Sequence, residues 1–135
     1  IDRMHVDFGN HKINVIDYKT GKPIYSWEPT DEFDKIKAWK YKIQLQFYKI
    51  LVENSRDFRG RAIVDLGILE FLEPKNGELA MLELQMRHEE ISKLEKLIGI
   101  VYKKIISLDF PDISNYEMSM YGIDCFVDDL LNGRV

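Results

Sequence analysis

An aspartate and a lysine lie two residues apart at the end of an apolar segment, in the run Val15-Ile16-Asp17-Tyr18-Lys19. Because successive side chains of a strand point to opposite faces, Asp17 and Lys19 should emerge on the same face. Burying charged groups is costly unless they are paired or bind a metal. The spacing therefore indicates either a salt bridge at a strand end or a carboxylate held beside a cation for chemistry.

The residues before this segment form a predicted β-hairpin that brings in a second carboxylate. Residues 1–8 alternate in polarity, Gly9-Asn10 is typical of a turn, and residues 12–19 form the second strand. Positions 2 and 17 are symmetric about this turn, so Asp2 and Asp17 should be cross-strand neighbours. Two converging carboxylates repel each other, and a divalent cation such as Mg²⁺ relieves that repulsion.

A metal held by these two carboxylates could lower the pKa of a bound water and polarise a phosphate oxygen. Lys19 could orient that water or stabilise the charge that builds on the phosphoryl group. The pattern therefore favours metal-assisted phosphodiester hydrolysis. An ordinary salt bridge at the end of a strand is the alternative.

A long helix is predicted at about 32–54, and acidic residues in its first turn favour this start. Lys37, Gln44 and Tyr48 lie on one face, where they could grip a strand of nucleic acid; a plain polar flank is the alternative. The apolar residues at helical spacing predict a buried stripe of Ile36, Trp39, Ile43, Phe47, Ile50 and Leu51. Three lysines on a different face predict a solvated stripe of Lys35, Lys42 and Lys49.

The rest of the chain reads as further strands and helices. The predicted elements are a short strand at 23–27, strands at 62–72 and 79–86 with a turn at 73–77, and helices at 89–107 and 123–131. A hairpin, a helix, two more strands and a helix make an α/β sandwich. No linker is long enough to divide it, so we expect one domain over residues 1–135.

Composition limits the kinds of partner and cofactor that we expect for this chain. The net charge of -4 is uneven: residues 1–60 hold 11 Lys+Arg against 9 Asp+Glu, a net of +2, which leaves -6 for residues 61–135. Any polyanion should therefore meet the first half of the chain. The single cysteine, Cys125, is expected in the last helix and cannot hold an iron-sulfur cluster alone. No apolar run is long enough to span a membrane, and we expect a cytoplasmic protein.

Three segments together resemble the motifs of the RecB-type nucleases of the PD-(D/E)xK superfamily. In chain order they are Ile1-Asp2-Arg3, Asp17-Tyr18-Lys19-Thr20-Gly21 and Gln44-Leu45-Gln46-Phe47-Tyr48. The resemblance implies a restriction-endonuclease-like mixed β-sheet flanked by helices. Within the family, the layout is most similar to the C-terminal nuclease region of UvrD/AddA-like superfamily 1 helicases.

The resemblance also implies a role for each matching residue. Asp2, Asp17 and the backbone carbonyl of Tyr18 would bind Mg²⁺ or Mn²⁺, and Lys19 would be the catalytic lysine. Gln44 and Tyr48 would contact DNA and brace the site. We add Lys37 and Arg3 as expected DNA contacts.

The family pattern extends beyond this chain at one end. The glycine before Ile1 and an upstream metal ligand are part of that pattern, so we expect a C-terminal fragment that lacks the N-terminal part of the fold. The expected function is a DNA nuclease acting on single strands together with a helicase motor in repair or recombination. The alternative is an inactive nuclease-like domain that holds DNA or docks a helicase.

Overall fold

The computed structural model describes residues 1–74 and 76–135. Within these residues the chain forms four strands and three helices. In chain order they are β1 (Arg3–Asp7), β2 (Lys12–Lys19), α1 (Glu32–Asn54), β3 (Ile63–Phe71), β4 (Met81–Gln85), α2 (His88–Ser107) and α3 (Met120–Leu131). The predicted turn at 73–77 includes Lys75, which lies outside the described residues.

The strands form one sheet in the order β1-β2-β3-β4. The outer pairs, β1 with β2 and β3 with β4, are antiparallel, whereas β2 and β3 are parallel. A parallel pair needs a long crossover between its strands, and α1 supplies it. The predicted α/β class with a mixed sheet is therefore confirmed.

The hairpin of β1 and β2 has the predicted register. Arg3 pairs with Ile16 and Asp7 pairs with Lys12, and beyond this regular ladder the Asp2 N–H donates to the Ile16 carbonyl. The Asp7 carboxylate accepts bonds from the backbone N–H and the side chain of Asn10, at 3.1 and 2.7 Å. This carboxylate therefore fixes the turn that sets the register of the whole hairpin.

Helix α1 packs on one face of the sheet. Alternate residues of β2 point towards that face, and the last two of them are Asp17 and Lys19. The buried apolar residues form two clusters, one at each end of the sheet. The first cluster is Ile24, Ala38, Leu45, Leu69, Phe71 and Leu84. The second is Ile13, Val15, Val52, Ala62 and Val64.

The bounds of α1 are those predicted, because Asp31 caps its start by accepting a bond from the Asp34 N–H at 3.1 Å. The predicted buried stripe is wrong. Phe47 and Leu51 are exposed, and the apolar residues that α1 buries are Ala38, Leu45 and Val52. The helix approaches β3 at Gly67, where an added Cβ would lie 3.0 Å from the Cβ of Leu45.

The predicted solvated stripe of lysines is also wrong at two of its positions. Lys49 is buried, and its ammonium donates to Glu53 and to the carbonyl of Val64. Lys42 is half-buried and donates to Glu90 at 2.8 Å. Both lysines have carboxylate partners on the protein, which the charge pattern of α1 alone does not show.

The predicted strand at 23–27 is wrong, because these residues, all of them described, are irregular. Pro23 has no N–H to donate to a neighbouring strand. The segment is held instead by side chains: Ile24 is buried in the core, and the Trp27 Nε1–H donates to the Glu83 carbonyl at 2.7 Å.

Residue contacts divide the chain into two compact units, Ile1–Ile91 and Ser92–Val135. In the second unit Ser119 caps α3, and the Tyr116 hydroxyl donates to Asp129 at 2.6 Å. Cys125 lies half-buried in α3, as predicted. Over residues 1–74 and 76–135, no helix combines the length and the apolar character that crossing a membrane requires.

Candidate active site

The candidate site lies where β2 ends beneath α1. Asp17 and Lys19 share one face of β2, and the Lys19 Nζ lies 2.6 Å from the Asp17 Oδ2. The Asp17 side chain is 7% exposed and that of Lys19 is 15% exposed. Charged groups that are this sheltered from water need other partners, and Asp17 and Lys19 form an ion pair with each other.

Two residues of α1 complete a closed ring made of three hydrogen bonds and the Lys19–Asp17 ion pair. Lys19 also donates to the Gln44 Oε1 at 2.6 Å, and the Gln44 Nε2 donates to the Tyr48 hydroxyl at 2.7 Å. The Tyr48 hydroxyl then donates to the Asp17 Oδ1 at 2.9 Å. Gln44 and Tyr48 are one helical turn apart, so both reach β2 from the same side of α1.

The proton of Tyr48 is held firmly in this ring. Burial, together with the hydrogen bond to Asp17 and the negative charge of that carboxylate, raises the pKa of Tyr48 to about 12. The hydroxyl therefore remains a donor over the whole physiological range. Asp17 in turn accepts the Tyr48 hydroxyl at Oδ1 and pairs with the Lys19 ammonium at Oδ2, and these two contacts fix the plane of its carboxylate.

Asp2 reaches the same strand end from β1. Its Oδ2 accepts a bond from the Tyr18 N–H at 2.7 Å, and its own N–H donates to the Ile16 carbonyl at 3.1 Å. The negative charge of Asp2 also contributes to the raised pKa of Tyr48. Asp2 thus contacts both chain neighbours of Asp17, close to where the hairpin predicts it, although the regular strand register ends at Arg3 and Ile16.

Comparison with known proteins agrees with this geometry. The family model of the PD-(D/E)XK nuclease superfamily matches residues 1–122. The chain belongs to the PD-(D/E)XK nuclease superfamily. Comparisons with curated proteins and with solved structures find no match.

As a member of this nuclease superfamily, the chain has oxygen ligands that suit a hard divalent cation. No group of three His, Cys, Asp or Glu residues that could hold a metal occurs among the described residues. Asp2 and Asp17 supply two carboxylates, and Mg²⁺ is commonly held by one or two carboxylates while it keeps several waters. The residues present therefore fit such an ion.

The two predicted cationic DNA contacts lie in different places relative to the candidate site. Lys37 lies on α1, where its Nζ donates to the Lys22 carbonyl at 2.5 Å. Arg3 pairs with Ile16, so it lies on the face of the sheet opposite to Asp17. Lys37 therefore lies near the candidate site, whereas Arg3 lies on the other face of the sheet.

Sequence reasoning missed one aromatic residue of the site. The Lys19 Nζ lies 4.6 Å from the centre of the Tyr41 ring. Tyr41 follows Lys37 by four residues and precedes Gln44 by three, so helical periodicity places it on the face that was singled out. That spacing alone could have assigned Tyr41 to the site; the residue was missed because an aromatic ring is usually expected to pack in the core.

Proposed function

We propose that this protein is a metal-dependent deoxyribonuclease that hydrolyses phosphodiester bonds of single-stranded DNA. The observation that carries the proposal is the closed ring of Asp17, Lys19, Gln44 and Tyr48, with Asp2 beside it. Superfamily membership supports the reaction class. A salt bridge with no further purpose would not need two helix residues to fix the orientation of both its partners.

Asp2, Asp17 and the backbone carbonyl of Tyr18 would hold Mg²⁺ or Mn²⁺. When bound, the cation would lower the pKa of a water ligand and polarise a phosphate oxygen. All three ligands are oxygen atoms, which Mg²⁺ prefers over nitrogen and sulfur. The Asp2 contact to Tyr18 uses one carboxylate oxygen, so the other oxygen can face the metal.

Lys19 would act on the reacting groups directly. Its ammonium has three N–H donors; one donates to Gln44, and the group also pairs with the Asp17 carboxylate. A remaining N–H would orient the attacking water or bind a phosphate oxygen as negative charge builds there. Gln44 and Tyr48 would act as braces, since their polar groups are already used in the ring.

Positive groups near the site would guide the strand. Lys37 would contact a phosphate on the side of α1, and Arg3, on the opposite face of the edge strand β1, would contact a part of the strand that runs past that edge. The motif order supports a narrower assignment, a RecB-type nuclease that works with a helicase motor in repair or recombination in the cytoplasm. The motor would supply the single strands that the site cuts.

The central test is cleavage of labelled single-stranded DNA by the full gene product in Mg²⁺. Lys19→Ala should abolish cutting, because it removes the only group in the ring that can stabilise the phosphoryl charge. Lys12→Ala is the matched control: Lys12 lies on the same strand, but on the opposite face, and pairs with Asp65. Equal cutting by the Lys19→Ala and wild-type proteins would overturn the assignment.

Metal binding separates an active nuclease from an inactive docking domain. Calorimetric titration of the full gene product with Mn²⁺ should show binding that Asp17→Asn weakens strongly, since that change removes a charged ligand. A protein that neither binds Mn²⁺ nor cuts DNA would instead be a nuclease-like domain that holds DNA or a helicase.

A further inference from the structure

The Tyr41 ring lies close to two ammonium groups. The Nζ of Lys19 is 4.6 Å from the ring centre, and the Nζ of Lys37 is 5.9 Å away. The ring also packs against the fully buried Phe71, with ring centres 6.3 Å apart and planes tilted by 59°. Phe71 therefore anchors the ring in the core, and the ring presents its π electrons to Lys19.

A π face suits the position of a catalytic lysine. The ring attracts a cation through its quadrupole, and the attraction grows when the cation is shielded from water, as Lys19 is here. Unlike a carboxylate, the ring attracts the ammonium without bringing a full negative charge that would neutralise it. Lys19 thus keeps its positive charge beside the hydrogen bond to Gln44 and the ion pair with Asp17.

The contact of Lys37 with the Tyr41 ring is weaker than that of Lys19. Its ammonium is farther away and already donates to the Lys22 carbonyl. Lys19 lies nearer and is more enclosed, so it gains more from the ring. Its contact is the one that bears on the reaction.

We propose that Tyr41 is a positioning residue for Lys19, whose ammonium it holds at the site by a cation–π contact. This inference rests on the proposed nuclease function and deepens it. It assigns the aromatic ring, and not the Tyr41 hydroxyl, as the group that matters. A change that keeps an electron-rich ring should then be harmless, whereas one that removes or inverts its charge distribution should not.

The test uses three replacements of Tyr41 in the full gene product. Tyr41→Phe keeps the ring and should leave kcat for cleavage of single-stranded DNA within about twofold of wild type. Tyr41→Leu should lower kcat about tenfold, equal to about 1.4 kcal/mol, with KM and Mn²⁺ affinity unchanged. Pentafluorophenylalanine at position 41 keeps the shape and inverts the quadrupole, so it should match Tyr41→Leu. Unchanged kcat in the fluorinated protein would overturn the inference even if Tyr41→Leu fails to fold.

A second measurement needs no activity. In carbon–proton correlation spectra, the Lys19 methylene signals next to Nζ should be shifted upfield by the Tyr41 ring current. Tyr41→Phe should keep this shift and Tyr41→Leu should remove it. If wild type cuts no DNA, the proposed function fails, and these spectra still decide the contact. A Lys19 signal that is the same in Tyr41→Leu as in wild type would overturn the positioning role.

Discussion

Two largely buried lysine–carboxylate pairs lie between helix α1 and the same face of the sheet, one near each end of β2. At one end, Lys19 pairs with Asp17, and their side chains are 15% and 7% exposed. At the other end, Lys49 pairs with Glu53, with side chains 10% and 29% exposed. By charge and shelter alone, either pair could be the functional one.

The remaining partners of each pair differ. Glu53 accepts the Val64 N–H at 2.8 Å, and Lys49 donates to the Val64 carbonyl at 2.8 Å. Val64 precedes the stretch Leu66–Glu70 of β3 that pairs with β4, so these side chains take the place of a neighbouring strand. Asp17 and Lys19 instead bind side chains of α1, those of Tyr48 and Gln44.

The comparison shows that a buried ion pair does not by itself indicate a functional site. What distinguishes the two is where their other hydrogen bonds go. The Lys49 pair satisfies the backbone at the start of a strand, which is a structural role. The Lys19 pair satisfies side chains of α1 instead and lies beside Asp2, as the proposed metal and phosphate site requires.

The largest expected effect on stability is that of Lys49→Met. It leaves Glu53 without its cation and the Val64 carbonyl without its donor, so the free energy of unfolding should fall by about 3 kcal/mol. Urea denaturation followed by circular dichroism measures this. Cleavage per folded molecule should be unchanged. The comparison would fail if Lys19→Met destabilised the protein as much as Lys49→Met does.

Gly67→Ala should have the next largest effect, because it disturbs the helix that serves both pairs. The new Cβ would lie 2.6 Å from the Met86 Cε and 3.0 Å from the Leu45 Cβ, so α1 must shift. We expect a loss of about 2 kcal/mol in unfolding free energy. Gly99→Ala is the control: Gly99 lies in α2, and its added Cβ meets nothing within 4 Å. A loss as large for Gly99→Ala would refute the packing explanation.

Local signals were sufficient for much of the fold. Gly9-Asn10 predicted the hairpin register, and with it the arrival of Asp2 at the end of β2, where it contacts Ile16 and Tyr18. The acidic start at Asp31 fixed the beginning of α1. Each of these depends on residues close together in the sequence, where turn and cap chemistry act directly.

The rotation of α1 about its axis could not be predicted in the same way. The strongest apolar periodicity selected Ile36, Ile43 and Phe47, but the helix faces the sheet through smaller residues such as Ala38. The reason lies far away in the sequence, at Gly67, whose missing side chain lets Leu45 approach. The burial of Lys49 depends likewise on Val64, which only the parallel pairing of β2 and β3 brings near.

Tyr48→Phe should cost less, about 1 kcal/mol at neutral pH, because it removes one hydrogen bond to Asp17 and one from Gln44. The folded protein holds the pKa of Tyr48 at about 12, above its ordinary value of 10.0. The stabilisation is therefore complete below about pH 10 and is lost as the pH rises towards about 12. Denaturation of both proteins across this range should show the gap between them closing. A gap that stays constant would mean that the hydroxyl does not bind Asp17 as a donor.

Lys12→Ala should have the smallest effect on the free energy of unfolding. It tests whether the Lys49 pair stabilises the protein because its side chains are largely buried. Lys12 and Asp65 lie 3.1 Å apart, much like the buried pairs, but their side chains are 57% and 43% exposed. Water and salt screen such a pair, so we expect the unfolding free energy to change by less than about 0.5 kcal/mol, and by less still in 1 M salt. Thermal and urea denaturation at low and high salt would measure both. A loss of unfolding free energy as large as that of Lys49→Met would mean that the short distance between the charges is enough to stabilise these pairs. The backbone contacts of Lys49 and Glu53 would then contribute nothing.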